Sequence, residues 1–206
     1  MIFGHTINGR WGPRREKLED AADKMLRLFA AWAEIAPELS GFLLGPQQVP
    51  FAKLDRRGML DLLQAGQRRA EDDGRPLPRS GYGLTAWNGR ADPNSVAMHS
   101  QIGCDITDLS AANYIDLWFR PPARENEHLL TLPVFKPAVL TLAEIWNTTW
   151  CEAAHFERVD VIKPIPGRRS PSYLGGWITY IGPLFASLIK PPATGITQHP
   201  PGGGIL

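Results

Sequence analysis

Cysteine and histidine are the side chains of this sequence best suited to nucleophilic or metal-ion chemistry, and both are sparse. The two cysteines, Cys104 and Cys151, lie far apart and form no CxxC pair. The five histidines are scattered singly along the chain: His5, His99, His128, His155 and His199. No two of them have the i,i+4 spacing that brings two imidazoles to one face of a helix as metal ligands. We therefore expect no metal site, and two free thiols in a reducing compartment.

A thiol–imidazole catalyst is the one nucleophilic chemistry that these positions leave open. Cys104 and His99 belong to one hairpin region, and an imidazole next to a cysteine can serve as its base. No third side chain that would orient the base is identifiable in the sequence. A small α+β enzyme or ligand-binding protein that uses Cys104 and His99 is kept as the alternative interpretation.

Motifs for serine hydrolysis and for nucleotide binding are missing from the sequence. Ser80 and Ser170 lack the glycines of a GxSxG elbow. Neither a Walker motif nor GxGxxG occurs, and the glycines of residues 202–204 lie in a tail with no helix behind them to hold a phosphate. Asp72 and Asp73 lie in a charged loop, which is typical of a solvated turn rather than a cation site. The sequence thus predicts neither a cofactor nor an enzymatic activity.

The charge balance argues against the simplest nucleic-acid and membrane binders. The 206 residues include 22 Lys and Arg against 21 Asp and Glu, a formal charge of +1, so no global field attracts DNA or an anionic bilayer. The amino-terminal residues have no signal-peptide pattern, and no apolar segment is long enough to cross a membrane. We expect a cytoplasmic protein that contacts neither nucleic acid directly nor a membrane.

Helical spacing of apolar residues predicts helices on both sides of a strand-rich middle. The first is predicted over residues 15–36 and a shorter one over 54–65. A third is predicted over 138–150, with Pro137 at the first-turn position that proline favours. Three tryptophans have the helical spacing expected of core residues: Trp32, Trp146 and Trp150.

Period-two alternation predicts the strands of a sheet. Three of them follow one another as an antiparallel meander, over residues 81–87, 95–102 and 114–119. Further strands are predicted over 2–8, 151–161 and 176–181. Together with the helices, this pattern predicts an α+β fold with an antiparallel sheet and helices packed mainly on one face.

One domain is predicted over residues 1–189, because the breaks in the pattern are short. Two small subdomains are the alternative. Residues 190–206 form a Pro/Gly-rich carboxyl-terminal tail that we expect to be irregular or loosely held.

The meander places two tryptophans on the same face of the sheet. Trp87 and Trp118 share strand parity with five other residues: Thr85, His99, Gln101, Tyr114 and Asp116. A mixed aromatic and polar surface of this kind is enriched at protein interfaces. The alternative is that helices cover this face and that its residues belong to the core.

Several segments, taken in order along most of the chain, resemble the immunity protein 52 family. They are Trp11-Gly12-Pro13-Arg14 with Glu16, the strand 84–89, the helix reaching Trp146 and Trp150, and residues 176–180. That family is linked to bacterial polymorphic toxin and type VI secretion systems, and its members are encoded beside toxins that include restriction-endonuclease-like DNases. The resemblance implies a protein that binds and neutralises one cognate toxin and carries no catalytic residues. We interpret the WGPR motif (residues 11–14) and the GWITY motif (residues 176–180) as stabilising the fold rather than binding the toxin.

The expected toxin-binding residues lie on the tryptophan-bearing sheet face and its adjoining loops. They are Trp87, His99, Asp105, Asp108, Tyr114, Asp116 and Trp118. The carboxylates would meet basic, DNA-contacting residues of the toxin, and the tryptophans would be apolar anchors. A second, weaker candidate patch contains Glu152, Glu157 and Asp160. A scaffold that binds a partner without inhibiting it is a further alternative.

Overall fold

A ten-stranded antiparallel sheet runs through the computed structural model, which describes residues 4–107, 113–155, 177–183, 197–199 and 203–205. The strands are β1 (His5–Trp11), β2 (Leu43–Leu44), β3 (Val49–Pro50), β4 (Tyr82–Trp87), β5 (Val96–Ile102), β6 (Asn113–Phe119), β7 (Trp150–His155), β8 (Ile178–Ile181), β9 (Thr197–His199) and β10 (Gly203–Ile205). Their order in the sheet is β3-β2-β4-β5-β6-β1-β7-β8-β10-β9. The predicted meander of β4, β5 and β6 is present.

Three α-helices of the described chain, α1 (Leu18–Ala33), α2 (Arg56–Ala65) and α3 (Leu132–Trp146), form a layer on one side of this sheet. The helix α3 packs on β1, β7 and β8, α2 packs on β4, and α1 contacts both other helices. This arrangement confirms the α+β class with helices mainly on one face.

None of the helices in the described part of the chain combines the length and the apolar character needed to cross a bilayer.

The start of α3 differs from the sequence prediction. The helix begins at Leu132, so Pro133 takes the first-turn position and Pro137 lies inside the helix. A proline there removes one hydrogen bond of the helix. The buried stripe that includes Val134 and Phe135 outweighs that loss by packing on the sheet. The assignment of Trp150 to a helical core position was also wrong, because it is the first residue of β7.

The central strand β1 extends to Trp11, three residues beyond its predicted end. It pairs along its length with β6 on one side and with β7 on the other; Arg10 lies opposite both Tyr114 and Trp150. Pairing on both edges satisfies the backbone of this strand and keeps it extended up to the Gly12–Pro13 corner.

The helix-covered face of the sheet carries the core. Trp146 is fully buried and stacks on Trp11 with 5.3 Å between the ring centroids. Gly9 leaves room for α3, because a Cβ atom at this position would lie 2.8 Å from a methyl carbon of Leu142. Trp32 is also fully buried, as the helical spacing predicted, and its indole N–H donates to the carbonyl of Ala138 at 3.3 Å.

The WGPR corner is held by polar contacts as well as by the tryptophan stack. Arg14 donates from Nε to Glu16 and from Nη2 to the carbonyl of Trp146, each at 2.7 Å. The side-chain amide of Asn113 donates to the carbonyl of Gly12 at 2.9 Å. These contacts join the segment between β1 and α1 to β6 and to α3, which agrees with the interpretation of the motif as structural.

The carboxyl-terminal tail contributes two short strands to the sheet. The backbone of β10 pairs with β8 and with β9. The expectation of an irregular tail was therefore wrong for residues 197–199 and 203–205, where pairing with a sheet edge supplies partners for the backbone. The division into a domain over 1–189 and a tail stays a prediction.

Candidate functional site

The strands β4, β5 and β6 turn a mixed aromatic and polar surface away from the helices. We call this surface the aromatic face and define it by Thr85, Trp87, Ala97, His99, Tyr114, Asp116 and Trp118. The strand register aligns these residues in rows across the sheet: Trp87 is opposite Ala97, which is opposite Trp118. In the next row, Thr85 is opposite His99, which is opposite Asp116. Five of the predicted site residues thus share one face.

The aromatic face is open rather than covered by helices. Trp87 is 37% exposed, and it is one of three large apolar side chains with this degree of exposure in the described chain. Thr85 is exposed, and four other members are half-buried: Ala97, His99, Tyr114 and Trp118. The described α-helices lie on the opposite side, where α2 and α3 pack on the sheet and α1 packs on these two helices. The alternative in which helices bury this face is therefore wrong for the described residues.

A network of side-chain contacts fixes the geometry of the aromatic face. Arg10 on β1 makes two hydrogen bonds to the carboxylate of Asp116, one of them at 3.0 Å between Nη2 and Oδ2. The same guanidinium lies 5.1 Å from the ring centroid of Tyr114. The tyrosine hydroxyl is 3.3 Å from Nδ1 of His99, and the rings of His99 and Trp118 are 6.2 Å apart. Aromatic side chains held in this way lose little conformational entropy when a partner binds.

Burial sets the protonation state of the titratable groups on the face. The pKa of His99 is lowered, mainly by burial and also by the charge of Arg68, while Asp116 acts in the opposite direction. Its imidazole is therefore neutral at pH 7. Burial and the charge of Asp116 raise the pKa of Tyr114. Burial likewise raises the pKa of Asp116, although Arg10 opposes this.

The two predicted carboxylates that the structure describes, Asp116 and Asp105, are both paired with arginines. Asp116 is only 8% exposed and is paired with Arg10. Asp105 lies in the loop after β5 rather than on the face, and its carboxylate accepts a 2.9 Å hydrogen bond from Arg79. Asp108 lies outside the described residues.

The second candidate patch is not an exposed acidic surface at its described position. Glu152 on β7 is 5% exposed, and Glu157 and Asp160 lie outside the described residues.

Two arginines at the edge of the aromatic face were missed by the sequence analysis. Arg10 follows Thr6 and Asn8 in strand alternation, so a longer β1 would have placed it there. Arg68 comes from the loop after α2, and its Nε donates to the side-chain oxygen of Gln101 at 2.7 Å. No local pattern signals that second contact, because a loop residue has no strand parity.

The described contacts do not assemble a thiol–imidazole pair. The neighbours of His99 are Tyr114, Trp118 and Asp116. Cys104 is 3% exposed in the loop after β5, where its backbone bonds to the side chain of Asn113. Both cysteines are free thiols, and burial raises the pKa of Cys151 well above its usual value. A buried thiol without a base is a packing group rather than a nucleophile.

The side of β4 opposite β5 is occupied by β2 and by loop backbone, which blocks the addition of a partner strand. The N–H of Gly83 donates to the carbonyl of Gly66 at 2.8 Å, and the N–H of Gly45 donates to the carbonyl of Thr85 at 2.9 Å. Tyr82 forms a further bridge with Gln67. Because these loops occupy the backbone groups that an added strand would use, a partner has access here to the face and not to the edge.

Comparison with known proteins gives one family assignment. The family model described as Immunity protein 52 matches residues 6–198. No curated protein matches the chain. The matched region contains all three strands of the aromatic face together with Arg10 and Arg68.

Proposed function

The chain belongs to the immunity protein 52 family, and from this premise we propose that it neutralises its toxin by binding it through the aromatic face. Membership of the family implies an immunity protein that acts against a toxin. The finer proposal is that the toxin is a secreted, restriction-endonuclease-like DNase of a polymorphic or type VI secretion system. The immunity protein would act in the cytoplasm, where an unblocked DNase would reach the chromosome.

The observation that carries this proposal is the open position of two tryptophans and a tyrosine on a rigid sheet. Trp and Tyr are the residues most enriched among those that dominate binding energy at interfaces. Trp87 and Trp118 would be the apolar anchors, with Tyr114 and His99 between or beside them. Asp116 would hold Arg10 in place, and Asp105 and Asp108 would contribute from the loop next to the face.

The side chains of the face are held in fixed orientations. The imidazole of His99 lies within hydrogen-bonding distance of the Tyr114 hydroxyl, and the carboxylate of Asp116 accepts hydrogen bonds from Arg10. Side chains fixed in this way suit a binding surface, because little conformational entropy is lost when a partner docks.

Co-expression with the toxin encoded beside this protein tests the proposal. We expect a stable complex on a sizing column and rescue of growth in cells that make the toxin. If the two proteins elute separately and growth is not restored, the proposed function is wrong.

Alanine variants then locate the interface. Trp87→Ala and Trp118→Ala should each weaken the complex by about 2 kcal/mol, which is the usual size of a dominant contact. Trp177→Ala is a matched control, because Trp177 is 49% exposed and lies beside β8, outside the aromatic face. Thermal unfolding of each variant separates lost binding from lost folding. Equal affinity of all three variants and the natural protein would move the interface elsewhere.

A further inference from the structure

Ala97 lies between the two tryptophans of the aromatic face, and its side chain is only a methyl group. We infer that this leaves a gap, which receives one large apolar side chain of the toxin, while Arg68 binds a carboxylate of the same protein. The inference rests on the proposed function. The contact surface is then apolar and positively charged, whereas the sequence led us to expect carboxylates that meet basic residues of the toxin.

The gap follows from the strand register. Trp87, Ala97 and Trp118 form one row across β4, β5 and β6. Because adjacent strands are about 4.8 Å apart, the two tryptophan backbones lie about 10 Å apart with only a methyl group between them. Allowing for the thickness of two indole rings, that width fits one layer of side chain.

The two indoles lean in opposite directions along β5, which keeps the gap open. The N–H of Trp87 donates to the hydroxyl of Ser95 at 3.0 Å, two residues before Ala97. The ring of Trp118 lies toward His99, two residues after Ala97. Ala97 itself is half-buried rather than covered.

Charge decides which side chain enters the gap. Two indoles could hold either an apolar group or a cation. The described carboxylates at and beside this face, Asp116 and Asp92, are paired with Arg10 and Arg120, so Arg68 carries the excess positive charge. A cation that entered the gap would find each of these two carboxylates already paired with an arginine, whereas an apolar side chain gains from leaving water.

Arg68 supplies the second point of contact. Asp116 already matches the charge of Arg10, but the bond of Arg68 goes to the neutral amide of Gln101 through Nε. The two Nη groups of its guanidinium carry four further donors, which suit a carboxylate. Gln101 is four residues from Ala97, so the two points are about 13 Å apart along β5.

The Kd of the complex with the purified toxin tests both points. Ala97→Trp fills the gap and should weaken binding at least about tenfold, whereas Ala30→Trp, on an exposed position of α1, should leave the Kd unchanged. If Ala97→Trp fails to fold, Ala97→Leu fills the same gap with a smaller side chain. Arg68→Glu should weaken binding about tenfold and Arg68→Lys much less. Arg69→Glu is the matched control, because Arg69 contacts the carbonyl of Gly74 in the same loop.

The outcomes separate this inference from the function on which it rests. Absence of any complex with the natural protein would overturn the proposed function itself. A normal complex that tolerates a folded Ala97→Trp or Ala97→Leu variant would overturn the gap alone. Tighter binding by Arg68→Glu would show that the toxin presents basic residues here and would overturn the carboxylate contact.

Discussion

The tryptophans of this protein fall into two regions that use the same side chain differently. On the helix-covered face, Trp32 and Trp146 are fully buried, and Trp146 stacks on Trp11. On the aromatic face, Trp87 is 37% exposed and Trp118 is half-buried. Residue type is the same in both regions, so the difference comes from whether the side chain lies within the layer of helices or on the side of the sheet that these helices leave uncovered.

The outer side of the sheet is itself divided. Beyond the aromatic face, the same side of β1, β7 and β8 carries Thr6, Glu152 and Thr179, which are all nearly inaccessible at 1%, 5% and 3% exposure. Among the described positions of β1 and β4 to β8 whose burial is known, the large exposed surface on this side lies on β4, β5 and β6, with Arg10 at its edge.

The largest expected contrast is between a buried and an exposed tryptophan. Trp146→Ala should lower the free energy of unfolding by about 3–5 kcal/mol, because it opens a cavity under α3. Trp87→Ala should cost about 1 kcal/mol or less, since its side chain is partly in water already. Urea denaturation of both variants measures the difference. If both variants lost a similar free energy of unfolding, Trp87 would be as important for the fold as the buried Trp146.

A buried histidine should make the helix-covered face sensitive to acid. Burial, and then the charge of His155, lowers the pKa of His5 from 6.5 to about 4. As the pH falls, the imidazole of His5 therefore takes up a proton in the unfolded chain before it does so in the folded one. The contribution of the neutral His5 to the free energy of unfolding is fully present above pH 6.5 and is lost as the pH falls toward 4. A shift of this size corresponds to about 3 kcal/mol.

The variant His5→Gln isolates this effect. Denaturant titrations at pH 7 and pH 4.5 should show a smaller loss of stability for the variant than for the natural protein. His99→Gln on the aromatic face is the comparison, with a change in the same direction and of smaller size. If the free energy of unfolding fell equally with pH in the natural protein and in the His5→Gln variant, the acid sensitivity would not come from His5.

Two glycines test how tightly each face is packed. Gly9→Ala places a Cβ atom 2.8 Å from a buried methyl carbon of Leu142, and overpacking of this kind costs about 1–3 kcal/mol. Gly83→Ala on the outer side meets atoms no closer than 3.7 Å. We expect that variant to be neutral within about 0.5 kcal/mol. The melting temperatures of the two variants measure this difference. Equal destabilisation would show that the outer side of the sheet is packed as closely as the core.

The smallest expected effect concerns the ion pair at the aromatic face. The side chain of Arg10 is 31% exposed, so Asp116→Asn leaves it partly hydrated and should cost only about 1 kcal/mol. Loss of the carboxylate also removes the interaction that raises the pKa of His99. Histidine resonances followed by NMR should therefore titrate at lower pH in the variant. An unchanged or higher pKa would place His99 and Asp116 further apart than the strand register does.

The open part of the site was largely predictable because strand alternation has a fixed period. Trp87, His99 and Trp118 share a face whatever lies beyond them, once β4, β5 and β6 pair in an antiparallel register. Arg10 was missed because the end of β1 depends on two neighbouring strands, one of them 140 residues further along the chain. Arg68 was missed because only a loop contact brings it to Gln101.

Helix boundaries show a similar limit. The stripe of apolar residues in α1 and the burial of Trp32 follow from local spacing alone. The start of α3 does not, because a helix containing Pro137 is stable only when its buried side chains pack on β1 and β7. The free energy that Pro137 costs the helix is a local property of the backbone, and the contacts of α3 with the sheet offset it.

The sequence by itself determined the fold class, the sharing of one sheet face by Trp87, His99 and Asp116, and, through the WGPR and GWITY motifs, the resemblance to a family. Only the tertiary structure decided that the helices cover the other face and that Asp116 is matched by Arg10, 106 residues away in the chain. The reason is that side-chain alternation is a property of the local backbone. Burial and charge pairing depend on groups that approach through space, and these decide which tryptophans lie in the core and which lie on the open face.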